Sequence, residues 1–391
     1  MRQPIPPLRE RIRRLIATPS ISSVKPELDQ GNLAVVAQLA EWLEALGAKV
    51  DVLPLPDEPG KANLIGTIGG PAEGGLVLSG HTDTVPYDEG RWQHDPFGCE
   101  EADGRLYGLG TADMKSFLAL AVETVARHRE QRLQQPLTVL ATANEETDMS
   151  GARALATSGR AMGRFAVIGE PTSLKPVRLH KGIMMEGIRI IGRSGHSSNP
   201  ALGVSALEAM QRVMGELLRW RQELQERYRE PLFAVPVPTL NLGHIHGGDS
   251  PNRICALCEL HIDLRTLPGM DHEELRATMQ QRLQRCLGGG EAELEFTPLF
   301  AGVPAMETPA DSELVRATEQ LTGTSAGSVA FGTEGPYLRA LGMDTVVLGP
   351  GSIDQAHQPD EYLPLEAIQP TLDILDRLVE RFCSRADGAS P

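Results

Sequence analysis

The sequence predicts an α/β protein: a domain with a mostly parallel sheet and helices on both faces, interrupted by an inserted α+β domain of ferredoxin-like pattern. Two observations carry this expectation. Strand and helix signals alternate through the first half of the chain and again near its end, while a different β-α-β-β-α-β order fills the middle. Length agrees, because 391 residues exceed what one hydrophobic core usually organises.

Taken in order, "LAVVAQLAEWLEAL" places apolar residues at helical spacing and stops at Gly47. "GGLVLSG" reads as a short buried strand, "KSFLALAVETVARH" as an amphipathic helix, and "PLTVLATA" and "FAVIGE" as further strands. In the middle, "IMMEGIRIIG" is a strand, "GVSALEAMQRVMGELLRWRQELQERY" a long helix, and "TLNLGHIH" and "RICALCELHIDLR" two successive strands. Asp271 followed by Glu274 opens a second helix by a capping box, and "AELEFTP" closes the pattern. The α/β alternation then returns in "DTVVLGPG" and "EAIQPTLDILDRLVERFC". The expected division is therefore one domain built from residues 1–182 and 300–391, with 183–299 as the insert.

Composition narrows the function. An apolar content of 41% fits a soluble globular protein, and no stretch approaches the roughly 20 apolar residues that span a bilayer. The start, "MRQPIPPLRERIRRLIATPS", lacks the apolar core of a signal peptide, so a cytoplasmic protein is expected. A formal charge of -15 argues against nucleic acid, whose phosphates need a concentrated basic surface. Five cysteines, an odd number, suggest reduced thiols. Cys255 and Cys258 fall in a strand pattern, where residues three apart point to opposite faces and do not converge on a metal.

In a parallel sheet the carboxyl ends of the strands share one rim, where ligands bind. His81 and Asp83 follow "LVLSG", Glu145 and Glu146 follow "TVLATAN", Glu170 follows "AVIG", and His357 follows "TVVLGPGS". Asp113 opens the helix after "LYGLGTA". A phosphate-binding loop is the rival reading of "GLGTAD", but Asp113 stands where a third small residue is wanted and would repel a pyrophosphate. Clustered carboxylates repel one another unless cations sit among them, so a pair of divalent metals is expected. Imidazole and carboxylate donors suit zinc, with cobalt or manganese chemically acceptable. In such sites metals about 3.5 to 4 Å apart share a carboxylate and a water that becomes nucleophilic, which predicts a hydrolase.

Six motifs in order, "SGHTDTVP", "LYGLGTADMKS", "ATANEET", "IGEPTSL", "GRSGHSS" and "GPGSIDQAHQPDEY", together resemble the aminoacylase and acetylornithine deacetylase family of dinuclear zinc metallopeptidases. The resemblance runs from about residue 60 to the C-terminus. It implies that His81, Asp113 and Glu170 hold one metal and that Asp113, Glu146 and His357 hold the other, with Asp113 bridging. Asp83 would accept the second ring N–H of His81 and fix its orientation. Glu145 would be the general base. Asn144 stands where relatives often carry another acid, a change expected to tune the local field.

The resemblance further implies that the insert is a dimerisation or lid domain in a homodimer. His196 would reach across the interface to stabilise the oxyanion of the tetrahedral intermediate. His244 and His246 are read as structural or substrate-adjacent. Within the family, "LNLGHIHGGDSPNRICALCELHIDLRTLPGM" is similar to members that convert N2-acetyl-L-ornithine to L-ornithine and acetate, a reaction of arginine biosynthesis. Arg253 and Arg265 would then grip the substrate carboxylate and Glu334 would face its distal ammonium. A succinyl-diaminopimelate desuccinylase is the nearest alternative, but it would want another basic residue near "TEGP", where this chain has Pro336. A dipeptidase or carboxypeptidase of the same family fits less well. A binding protein that kept the fold should have lost Glu145 or a ligand, and a metal-free glycosidase would leave His81 and His357 without a role.

Overall fold

Strands buried along their whole length and rich in apolar residues form the middle of the large sheet, where both faces are covered. In the computed structural model, which describes residues 4–70, 74–160 and 162–384, the strands Leu76–His81, Leu137–Thr142 and Phe165–Pro171 are buried at every residue. The chain divides into two units. The first is Met1–Arg178, Thr308–Gly327 and Thr333–Pro391; the second is Leu179–Glu307 with Ser328–Gly332.

Across the large sheet the strands run Lys49–Pro54, Ala62–Ile68, Leu137–Thr142, Leu76–His81, Phe165–Pro171, Asp344–Gly349, Val177–His180 and Met306–Glu307. The four from Leu137–Thr142 to Asp344–Gly349 are mutually parallel. Outside them the pairing is antiparallel. The reason is connection length: residues 55–61 join the first two strands as a hairpin, whereas a parallel neighbour requires a long crossover. The helix Lys115–His128 packs on the central strands. Its fit is tight at Gly169, where an added Cβ would stand 1.9 Å from the Phe117 ring. The helix Leu33–Leu46 ends where expected, at Gly47, whose φ of 89° is left-handed.

The second unit has the sheet order Thr239–Gly247, Leu257–Thr266, Gly182–Ile191, Glu293–Pro298, every pair antiparallel. With the helices Ala206–Arg227 and His272–Leu287 in sequence between the strands, this is the ferredoxin-like arrangement. Each helix starts on a side-chain cap: Ser205 accepts the N–H of Glu208, and Asp271 accepts the N–H of Glu274. Met184, Ile188 and Ile190, helix residues Met210, Val213 and Leu217, and strand residues Leu260, Ile262 and Leu264 form the core. The Leu257–Thr266 strand alternates as expected, with Cys258, Leu260, Ile262 and Leu264 inside. It begins at Leu257, so the alternation does not extend to Cys255, whose thiol donates to the Leu257 carbonyl. Among the described residues no helix is long and apolar enough to cross a membrane.

Candidate metal centre

Adjacency in the sheet brings the acids and imidazoles together. The parallel strands Leu137–Thr142, Leu76–His81, Phe165–Pro171 and Asp344–Gly349 lie side by side, and each ends at, or leads into, a segment carrying one of the expected residues. Glu145 and Glu146 follow the first, His81 closes the second, Glu170 lies near the end of the third, and His357 is in the loop after the fourth. Asp113 comes from the segment just before the Lys115–His128 helix. Its peptide bond to Met114 is cis.

Asp113 is the centre of the arrangement. Its Oδ1 lies 3.0 Å from His81 Nε2, and its Oδ2 lies 3.5 Å from His357 Nε2. Glu170 Oε1 stands 3.9 Å from the same His81 nitrogen. Glu146 Oε2 stands 3.0 Å from the same His357 nitrogen. Ligand-type atoms of His81, Asp113 and Glu146 all lie within 4.8 Å of one another, as do those of His81, Glu145 and Glu170. His81, Asp113 and Glu170 are buried, while His357 is exposed and holds a left-handed φ of 59°.

Asp83 is placed differently from expectation. The second ring nitrogen of His81, Nδ1, lies 3.0 Å from the Asp83 backbone carbonyl, and the nearer carboxylate oxygen is at 3.7 Å. That carboxylate instead accepts the backbone N–H groups of Glu145 and Glu146, at 3.2 and 3.1 Å. The strand ends at His81 and the chain bends at Thr82, so the Asp83 side chain leaves the ring that the resemblance assigned to it. Asp83 thus meets His81 through its main-chain carbonyl, and its carboxylate bonds the turn that carries both glutamates.

The electrostatics show how crowded the charge is. Burial, then the charge of Glu170, pushes Glu145 well above the usual carboxylate range. Burial and the charge of Asp113 do the same to Glu170 and raise Glu146. Burial opposes ionisation of Asp113 too, but the hydrogen bond from His81 and the charges of both imidazoles outweigh it, and its pKa is lowered. Burial disfavours the His81 imidazolium, yet the Asp113 hydrogen bond and the surrounding acids hold it well above its ordinary value. The hydrogen bond to Glu146 raises His357 to about 9. These four clustered carboxylates and two imidazoles form a donor set suited to divalent cations, which would relieve the repulsion.

Other expected residues lie in a second layer or in the second unit. Glu334 is 1% exposed, with both carboxylate oxygens closed to solvent near Thr142, and burial raises its pKa to about 7. His196 pairs as an antiparallel bridge with Arg253, so two residues far apart in sequence are neighbours. Its Nδ1 faces the Ser198 N–H at 3.2 Å and the Ser198 hydroxyl at 2.8 Å. Arg253 pairs with Asp249 and Arg265 with Asp263. His246 is exposed, and the His244 ring lies against that of His261 in the same sheet, tilted by 37°.

Two buried groups beside the acids were not expected. Glu361 accepts three backbone N–H groups from the Asp113 segment. Lys61 donates to Asp29 at 2.7 Å and to Asn144 at 2.6 Å. The only sequence signal for Glu361 was its place inside "GPGSIDQAHQPDEY", and none marked Lys61, because each acts on main chain or polar groups brought near by the fold.

The chain is similar to known proteins over nearly its whole length. An acetylornithine deacetylase of Edwardsiella ictaluri is 51% identical over 373 residues, covering 95% of this chain and 97% of the relative. The crystal structure of a tripeptidase from Staphylococcus aureus has the same fold, with a TM-score of 0.71 at 22% identity over 95% of this chain and 98% of that one. A Bacillus subtilis protein described as a dinuclear metal binding peptidase of the M20 family matches with a TM-score of 0.66 at 16% identity, covering 95% and 98%. Residues 77–381 match peptidase family M20/M25/M40, and the chain belongs to that family.

Proposed function

We propose that this chain is a metal-dependent amide hydrolase that deacetylates N2-acetyl-L-ornithine to L-ornithine and acetate. The carrying observation is Asp113, which turns one carboxylate oxygen toward each of two imidazoles on the rim of a parallel sheet. The substrate follows from the 51% identity to an acetylornithine deacetylase over nearly the whole chain.

His81, Asp113 and Glu170 would hold one divalent cation, and Asp113, Glu146 and His357 the other. Zinc suits these nitrogen and oxygen donors, with cobalt as the alternative. When bound, the ions supply Lewis acidity to the amide carbonyl and make the attacking water more acidic. Glu145 takes the proton of that water and delivers it to the leaving amine. Its raised proton affinity suits a group that must hold a proton between two steps. Asp83, bonded to the N–H of Glu145 and Glu146 and through its carbonyl to His81, keeps base and ligands in register.

His196 is assigned to the oxyanion. The Ser198 N–H can only donate, so Nδ1 accepts and leaves the Nε2 N–H as the donor available to an oxyanion. We assign its action to the partner's site in a homodimer; an active monomer in sedimentation at assay concentration would remove that assignment. Arg253 and Arg265 are assigned to the substrate carboxylate. Glu334 is assigned to the distal ammonium on charge, although its burial demands that covering side chains move. Glu334→Gln with unchanged selectivity for ornithine over norvaline derivatives would leave it as a buried support. The five cysteines, all free, agree with reaction in the cytoplasm.

The test is ornithine release from N2-acetyl-L-ornithine by zinc- or cobalt-loaded protein, with succinyl-diaminopimelate alongside and Glu145→Ala as control. Fast deacetylation, lost by at least about 100-fold in the variant, is expected. Turnover of the succinyl substrate alone would keep the centre and overturn the substrate.

A further inference from the structure

Two loops deliver Asp113 and His357, and one buried carboxylate joins them. Glu361 is 1% exposed. One of its oxygens accepts the N–H of Ala112 at 2.7 Å and of Asp113 at 3.0 Å, and the other accepts Gly110 at 3.1 Å. Its backbone carbonyl takes the N–H of Gly108 at 2.9 Å. The next residue, Tyr362, pairs in register with Tyr107. The segment 108–113 is thereby fastened along its length to the segment that begins at His357.

We propose that Glu361 is a positioning residue of the metal centre: it clasps the 108–113 loop to the His357 loop and so sets the spacing between the shared ligand Asp113 and His357. This rests on the two-metal reading above. The loop needs such a partner because it has no regular ladder and turns through a left-handed Gly110 at φ 84°. Its buried N–H groups must be satisfied, and a carboxylate offers enough lone pairs for three donors. Glutamine has the same shape but keeps one acceptor oxygen, so its amide N–H would meet the N–H of either Gly110 or the Ala112–Asp113 pair. Alanine removes all three contacts.

The experiment measures zinc and cobalt affinity by competition with a chromophoric chelator, for wild type, Glu361→Gln and Glu361→Ala, together with the visible absorption of the cobalt forms. Metal-free melting temperatures are recorded for each. We expect wild type to bind two ions per chain. The variants should bind about 10- to 100-fold more weakly, as is usual when a ligand's hydrogen-bonded support is lost, with changed cobalt bands. Should Glu361→Ala not fold, Glu361→Gln carries the test. Variants that bind with wild-type affinity and spectrum, even if they melt lower, overturn the clasp. Wild type that binds no zinc overturns the two-metal reading itself, a result separate from equal affinity.

Discussion

Asn144 holds the turn before the two glutamates at a left-handed φ of 61°, a conformation asparagine tolerates better than most residues. Its Oδ1 accepts from Lys61 at 2.6 Å and from Ser22 at 2.9 Å, while its Nδ2 donates to Glu58 and to Ser150. A cation on one side and a carboxylate on the other fix which way the amide points. Aspartate would keep the Lys61 contact but face Glu58 with like charge. Asn144→Asp is therefore expected to cost about 1–3 kcal/mol, recovered in large part by Glu58→Gln, as read from urea midpoints of the two singles and the double. A second residue predicts the acid limit. His180 is fully buried, and burial lowers its pKa to about 4. The unfolded chain takes up a proton near the ordinary value of about 6.5 while the folded protein resists until about 4. Stability should fall as pH drops through that window, by about 3 kcal/mol from this group below it. Unfolding midpoints of wild type and His180→Gln between pH 7 and 4 check this; parallel curves would refute it.

At the scale of elements, Glu170 depends on how closely a strand approaches a helix. Gly169 lies under Phe117, and a Cβ there would come within 1.9 Å of the ring. Gly169→Ala should destabilise the protein by about 1–3 kcal/mol through overpacking. By shifting Glu170 it should also weaken zinc binding, a readout that ordinary core damage elsewhere would leave unmoved. The helix His272–Leu287, which belongs to the second unit, offers a contrasting case. Its Asp271 cap accepts the Glu274 N–H at 2.9 Å, and Asp271→Ala should cost about 1 kcal/mol in thermal melts with metal affinity unchanged.

For the molecule as a whole, bound cations should add stability by mass action, because the unfolded chain does not hold the ligands together. At free zinc 100 times the dissociation constant the gain is about 2.7 kcal/mol. Chelation is expected to lower the melting temperature and re-addition of zinc to restore it; an unchanged melting temperature would argue against metal in this pocket. The stability follows the topology, since His81, Asp113, Glu146, Glu170 and His357 come from segments spread between residues 81 and 357.

The sequence by itself determined the elements and the residue types of the site. Periodicity placed the helices Leu33–Leu46, Lys115–His128 and Ala206–Arg227, since the spacing of apolar residues along a chain is a local property. The rule for parallel strands was enough to gather the acids and histidines at one rim. Only the tertiary structure decided what depends on the path of the main chain. The turn after His81 assigned its Nδ1 to the Asp83 carbonyl and freed that carboxylate for the Glu145 turn. Likewise Glu361 and Lys61 are ordinary charged residues in sequence. They bear on the centre because the fold buries them against polar groups that lie scores to hundreds of residues away, 83 for Lys61 with Asn144 and 248 for Glu361 with Asp113.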